Sequence, residues 1–278
     1  MNVQPGSINT QPGISLAQPA MQVAMLVLSV RSAVERRRTT STMLADCGVE
    51  WSYFDAHTAL ACKELRYDEA RARQHFGRAL TVQEIAVFSS HYAIWMAFLD
   101  HGESDYLLVL EDDVILDIDF PIQQFAEFCG GLGLDYVRLF GKHFAPANRL
   151  GFFFDRSIVR FNTTPAGAQA YLLSKAGARR LVERCQLVDG TIDLVMDSFW
   201  RTGLPIYSIF PYPVIERFTP TSIPVPSTMG RLSRTERWMW NLHRAANKLA
   251  KIRVNARLGS SDAEMRRRMP AFHQVMSV

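Results

Sequence analysis

Cysteine is scarce in this chain, and its placement excludes two common chemistries. Cys47, Cys62, Cys129 and Cys185 are widely spread and no C-x-x-C pair occurs. Neither a zinc site nor a dithiol redox motif is indicated, and free thiols in a reducing compartment are expected. No apolar run is long enough to span a bilayer. No Lys or Arg precedes Arg31, so the positive region that opens a secretory signal is missing. No internal repeat is visible. Leu28-Ser29-Val30-Arg31-Ser32, which follows the first expected strand, contains no glycine. That argues against the glycine-rich phosphate loop of a nucleotidyltransferase.

What is there describes an ordinary globular protein: 278 residues, 48% hydrophobic and 21% charged, enough to bury a sizeable core. Residues 1–20, rich in Gln, Pro, Ser and Gly, are expected to be disordered. The net charge of +4 is unevenly placed. Residues 1–225 carry 20 basic and 24 acidic residues, and residues 226–278 carry 11 basic and 3 acidic. A mildly acidic body thus bears a strongly basic tail, which seeks an anionic surface.

Patterning predicts alternating strands and helices. Residues 23–30 read as a buried strand, and Ser32-x-x-Glu35 as a capping box opening a helix toward Cys47. Residues 49–54 form a second strand ending at Asp55, and 57–80 are charged and irregular. Thr81-x-x-Glu84 opens a long helix with Ile85, Phe88, Tyr92, Trp95 and Phe98 at helical spacing, stopping near Gly102. Strands are expected at 106–110, 136–140, 152–161, 168–173 and 206–210. Helices are expected near 121–129, from Lys175 to Cys185 and over 192–202. The fold class is therefore α/β, with a mostly parallel, then mixed, central sheet. Pro220, Pro224 and Pro226 mark a linker. The expected organisation is a disordered segment 1–20, a domain 21–218 and a linker with helical tail 219–278.

The tail reads as a basic amphipathic helix over residues 235–254. Trp238, Leu242, Ala245, Leu249 and Ile252 recur at spacings of four and three, flanked by Arg237, Arg244, Lys248 and Lys251. Such a helix suits an anionic membrane surface, or packs its stripe onto the domain and solvates its charges. Nucleic acid is disfavoured, because the body offers no basic face to extend the footprint.

Chemistry concentrates at Glu111-Asp112-Asp113, directly after the apolar run Tyr106-Leu107-Leu108-Val109-Leu110. Open α/β sheets bind ligands at the carboxyl ends of their strands. Three adjacent carboxylates there repel one another unless something neutralises them. Mg²⁺ or Mn²⁺ suits such hard oxygen ligands and suits a diphosphate in turn. A solvated acidic turn is the other reading.

Several segments together carry a family resemblance. Ser29-Val30-Arg31-Ser32 with Glu35-Arg36-Arg37, Tyr53-Phe54-Asp55-Ala56, and Leu80-Thr81-x-x-Glu84-Ile85 with Ser90-His91 and Ile94-Trp95 come in the family's order. So do Val109-Leu110-Glu111-Asp112-Asp113-Val114, Ala168-x-Ala170-Tyr171-Leu172-Leu173-Ser174-x-x-Gly177-Ala178, and Ile192-Asp193 with Pro205-Ile206-Tyr207. Over about residues 23–215 the chain resembles glycosyltransferase family 25, the lipopolysaccharide-biosynthesis galactosyltransferases and their relatives. It departs from the family pattern at Gln83, Ala86-Val87, Ser89 and Ala170.

The resemblance implies a GT-A-type fold. It also implies an inverting, metal-dependent hexosyl transfer from a UDP-sugar such as UDP-galactose to a lipid-linked oligosaccharide or lipopolysaccharide-core acceptor. The enzyme would sit peripherally on the cytoplasmic face of the inner membrane. A non-catalytic sugar-nucleotide-binding scaffold is the alternative. Transfer needs a cation to stabilise the leaving diphosphate and a carboxylate to take the acceptor proton. Asp113 is expected as principal metal ligand with Glu111 as helper, since strand alternation turns 111 and 113 one way and Asp112 the other. Asp112 contacts ribose or donor sugar, or serves as a structural acceptor. Arg31 is a candidate to meet the diphosphate or the nucleobase, Arg78 a phosphate candidate, and Asp55 a ribose or uracil contact. Ser90, His91 and Trp95 line the donor pocket or belong to the core. Asp193 is the expected base, Asp189 and Asp197 its rivals, and Glu111 the base if Asp113 and phosphate alone hold the metal.

Overall fold

The computed structural model describes residues 21–101, 103–217 and 232–269. The segment 1–20 and the prolines Pro220, Pro224 and Pro226 lie outside the described residues.

The first unit is β1 (Val23–Ser29), α1 (Val34–Met43) and β2 (Trp51–Asp55), with β1 and β2 parallel. The expected capping box at Ser32 does not form. The helix opens one turn position later, at Ala33, with no side-chain cap. The backbone bonds Ala33 N to Val30 O and Val34 N to Ser32 O, both 2.9 Å, make the turn instead. The stretch expected to be irregular contains β3 (Arg66–Tyr67) and α2 (Glu69–His75), the latter capped by the Asp68 carboxylate. The box at Thr81 does form: Glu84 N–H donates to Thr81 Oγ1 (3.2 Å) and Thr81 N–H to Glu84 Oε2 (2.9 Å). It opens α3 (Val82–His101).

Then come β4 (Tyr106–Glu111), β5 (Val114–Leu116), α4 (Ile122–Leu132), β6 (Tyr136–Arg138) and the hairpin β7 (Ala147–Phe153) and β8 (Arg156–Phe161). β9 (Ala170–Ser174) leads straight into α5 (Lys175–Arg184), capped by Ser174. After β10 (Leu187–Val188), the expected helix over 192–202 is broken into α6 (Ile192–Met196) and α7 (Phe199–Thr202). The break falls at Asp197 and Ser198, where Asp197 is held by Tyr136, Thr164 and Arg138. β11 (Tyr207–Phe210), β12 (Val214–Glu216) and α8 (Arg234–Arg268) complete the chain.

Eight strands form one sheet in the order β2-β1-β4-β9-β6-β11-β8-β7. β1 runs parallel to β2 and β4, and β6 parallel to β11, while β9 and β8 run antiparallel to their neighbours. The sheet is mixed α/β, as the loss of regularity in the second half of the sequence implies. β4 is buried on both faces. Leu108 and Leu110 belong to the core shared with α4, and Leu107 and Val109 to the core shared with α3 and α5. This double burial is why the strand reads as a continuous apolar run rather than an alternating one.

α8 is longer than its apolar stripe suggested and packs with the opposite face inward. Trp240 lies against Gly77, His243 stacks on His75 at 3.9 Å, and Asn247 accepts from Trp200 Nε1 at 3.0 Å. Gly77, at φ +93°, must be glycine twice over, since a Cβ there would also sit 2.9 Å from the Trp240 ring. Farther along, Asp262 takes two hydrogen bonds from the fully buried Arg160, at 2.6 and 2.8 Å. The stripe itself points to solvent: Trp238, Leu242, Leu249 and Ile252 are 51–63% exposed.

Candidate active site

β4 delivers Glu111 to the rim of the sheet, and Asp112 and Asp113 form the turn into β5. The strand ends at Glu111, so strand alternation does not govern the other two. Asp112 is turned away for another reason. Its carboxylate accepts from Ser29 Oγ at 2.6 Å and pairs with Arg36 at 3.1 Å, while its carbonyl accepts from Thr40 Oγ1 at 3.2 Å. Burial still holds its carboxyl above the usual range, outweighing Ser29 and Arg36. Asp112 thus fastens the turn to the end of β1 and to α1.

Asp113 is different. Its Oδ1 is buried and has no hydrogen-bond partner among the described residues. Burial, then the charges of Glu111, Asp112 and Glu216, pushes its carboxyl up to about 7. Glu111, Asp112 and Asp113 line a cavity of about 320 Å³, together with Ser29, Arg36, His57 and Gln83. That volume falls at the lower end of ligand-sized pockets. Among the described residues no three His, Cys, Asp or Glu side chains converge on a metal position. That leaves the unpartnered Asp113 carboxylate, an oxygen ligand of the kind a hard cation takes beside oxygens of a phosphate-bearing substrate.

Behind Glu111 runs a buried polar chain. Trp95 Nε1–H donates to Tyr171 Oη at 2.8 Å, and Tyr171 meets His91 Nδ1 at 2.9 Å. Burial keeps the Tyr171 phenol far above its usual range, so it stays protonated. The phenol thus joins the Trp95 and His91 rings into one buried polar chain. His91 Nε2 faces Glu111 Oε1 at 3.7 Å. His91 and Trp95 are therefore core residues that reach the site through Tyr171 and Glu111.

The other expected residues scatter. Ser90 donates to Ala86 O (2.8 Å) and accepts from His57 N–H (2.9 Å), tying the cavity wall to α3 without lining it. Asp55 is engaged by Arg37 (2.6 Å) and Arg31 (3.1 Å), and the Arg37 hydrogen bond foremost holds its carboxyl below the usual range. Arg78 is not brought to the cavity. It makes a two-pronged pair with Glu84, at 2.8 and 2.5 Å, and lies over Phe76. Asp193 also does not line the cavity, and its Oδ2 accepts from Gly167 N–H at 2.8 Å. Asp189 is sealed by His75 (2.6 Å) and Arg201 (2.9 Å), which outweigh burial and hold its carboxyl low. Asp197 is fully buried on Tyr136, Thr164 and Arg138.

Sequence reasoning missed Ser29, Arg36, His57 and Gln83 as wall residues. Ser29 and Arg36 lay within segments already singled out, but their roles depend on Asp112, 83 residues from Ser29. Gln83, Ala86 and Val87, three positions where the chain departs from the resembled pattern, all line the cavity.

Residues 22–130 match the model of glycosyltransferase family 25 (LPS biosynthesis protein). The lacto-N-neotetraose biosynthesis glycosyltransferase LgtE of Neisseria meningitidis serogroup B (strain ATCC BAA-335 / MC58) is 25% identical over 204 residues, 66% of this chain and 71% of its own. Among solved structures, A197 from STIV aligns over 75% of this chain and 100% of its own, at 13% identity and a TM-score of 0.39. A glycosyltransferase involved in glycosylation of the major capsid of PBCV-1 covers 57% of this chain and 62% of its own, at 14% identity and a TM-score of 0.32. Likenesses of that size carry no argument about the fold or the site.

Proposed function

We infer that this chain, whose residues 22–130 form a glycosyltransferase family 25 segment, transfers a hexose from a sugar nucleotide to a hydroxyl of a lipopolysaccharide-type glycan. The observation that carries this reading is the buried, unpartnered Asp113 carboxylate beside Glu111 in a ligand-sized cavity at the carboxyl end of β4. Asp113, with phosphate oxygens of the donor, would hold Mn²⁺ or Mg²⁺ against the donor diphosphate, which leaves Glu111 free of the metal. When bound, such an ion neutralises charge that builds on the departing diphosphate. Arg36, anchored on Asp112 at 3.1 Å, adds positive charge at the same rim.

Glu111 takes the proton of the acceptor hydroxyl, with His91 Nε2 standing 3.7 Å behind its Oε1. The hydroxyl oxygen forms its bond to the anomeric carbon as the bond to the diphosphate breaks, with inversion. Asp193 fixes the 164–169 segment through Gly167. The donor is UDP-galactose or a related UDP-hexose, and Gln83, Ala86 and Val87 shape the wall it meets. The test is transfer from UDP-galactose to purified lipooligosaccharide, with Mn²⁺ and with chelator. Transfer should need the metal and vanish in Asp113→Ala; full turnover in chelator would sink the reading.

In the same reading the outward stripe of α8 lies in the surface of an anionic membrane. Its support is the exposed row Trp238, Leu242, Leu249 and Ile252 beside exposed Arg237, Arg253 and Arg257. No helix among the described residues is long and apolar enough to cross a membrane.

A further inference from the structure

A second cavity, of about 520 Å³, is separate from the acid cavity. It lies between α8 and the α6–α7 corner. Its electrostatics are lopsided. Arg201, Arg244, Lys248 and Lys251 line it, and Asp189 is the one carboxylate among its lining residues. Asp189 is already committed to Arg201 and His75. Arg244, Lys248 and Lys251 make no ion pair among the described residues.

Lys251 is the telling member. It is half-buried, and burial lowers its ammonium below the usual range. Its neighbours are Thr163 Oγ1 at 3.4 Å and the Trp200 ring, whose centroid is 4.7 Å from Nζ. A hydroxyl and an indole face offset part of the cost of drawing an ammonium out of water, and an anion would offset far more. Lys248 lies one helical turn before Lys251, and Arg244 one turn before Lys248, so all three ammonium and guanidinium groups rise along the same wall. The ring of His243 adds no charge at neutral pH, since burial and then His75 push it down to about 4. The cavity is large enough for a phosphate with a sugar attached.

We propose that the cleft between α8 and the α6–α7 corner is a binding site for a phosphate group, held by Lys251, Lys248 and Arg244. It is separate from the acid cavity and stands whether or not the donor reading is right. The phosphate belongs either to a soluble phosphate ester or to a lipid headgroup at the surface that α8 faces.

The test is titration of the full chain with inorganic phosphate in chelator, followed by calorimetry and thermal shift. Phosphate should bind saturably and raise the melting temperature. Lys251→Met keeps the packing on Trp200 without the charge, and Lys248→Met removes a rim charge that the fold does not use. Each should weaken phosphate binding at least tenfold, while Asp113→Asn leaves it unchanged. A second arm uses vesicles of phosphatidylglycerol and phosphatidylcholine. Loss of vesicle binding in the two lysine variants identifies a headgroup, and retained vesicle binding identifies a soluble ester. The proposal is overturned if phosphate does not saturate, or if both variants bind it as the parent does.

Discussion

His91 Nε2 lies 3.7 Å from Glu111 Oε1, and this ring nitrogen has no hydrogen-bond partner of its own. The opposite nitrogen is fixed by Tyr171, and Tyr171 by Trp95. The ring is therefore held from behind, with Nε2 turned toward one carboxylate. Tyr171→Phe should lower kcat by roughly 10–100-fold, the usual effect of removing a group that orients a reacting one. Donor KM should stay within about twofold. Stability should fall by about 1–3 kcal/mol, because His91 Nδ1 and Trp95 Nε1 are left buried without partners. Steady-state kinetics beside urea unfolding separates the two effects. An unchanged kcat in a destabilised variant would leave the chain a purely structural role.

Asp113 makes a second, opposite prediction. Its carboxyl titrates at about 7 in the folded chain against an ordinary value of 3.8. The folded state keeps a proton that the unfolded state loses across this window. The associated stability is present below about pH 4 and is lost as pH rises through about 7. In chelator, Asp113→Asn should be more stable than the parent at pH 8, by on the order of 2 kcal/mol, with no such gain at pH 4. The same variant should not transfer sugar. Thermal melts at the two pH values decide it, and a variant less stable than the parent at pH 8 would count against the assigned burial.

Arg160 and Asp262 bind the far end of α8 to the sheet. Both are buried, and Asn255 Oδ1 accepts a further hydrogen bond from the guanidinium at 2.8 Å. Asp262→Ala should cost about 3–5 kcal/mol, because it strands a charge in the interior. The double replacement Arg160→Met with Asp262→Leu should recover most of that loss. Chemical denaturation of the two variants checks this.

The outward stripe of α8 predicts a separation of effects. Replacing Trp238, Leu242, Leu249 and Ile252 together by Ser should reduce binding to phosphatidylglycerol vesicles by at least tenfold. The melting temperature should move by only a few degrees, because exposed side chains contribute little to the fold. Vesicle flotation and a thermal melt suffice. Undiminished flotation would remove the membrane from the proposal.

How much of this was legible in the sequence depended on distance along the chain. β4 and α3 were clear, since burial on two faces and a 3.6-residue period are local signals. The Thr81–Glu84 box was equally local, yet reading Glu84 only as a cap hid its pairing with Arg78, and so Arg78 stood as a phosphate candidate. The antiparallel insertion of β9 between β4 and β6 has no local mark. Asp112 could not be assigned because Ser29 and Arg36 come from the first unit. In α8 the apolar stripe was visible, but its partnerless state was not. The side that docks is built of His243, Asn247, Lys251 and Asp262, whose partners lie on four other segments.

That reversal in α8 has a consequence for how such a chain can change. Folding relies on one side of the rod, through ions, amides and stacked rings, and contact with the outside world is left to the other. Substitutions on the exposed apolar side leave the architecture untouched, and in the proposed membrane reading they retune adhesion alone, while the docked seam beneath tolerates far less.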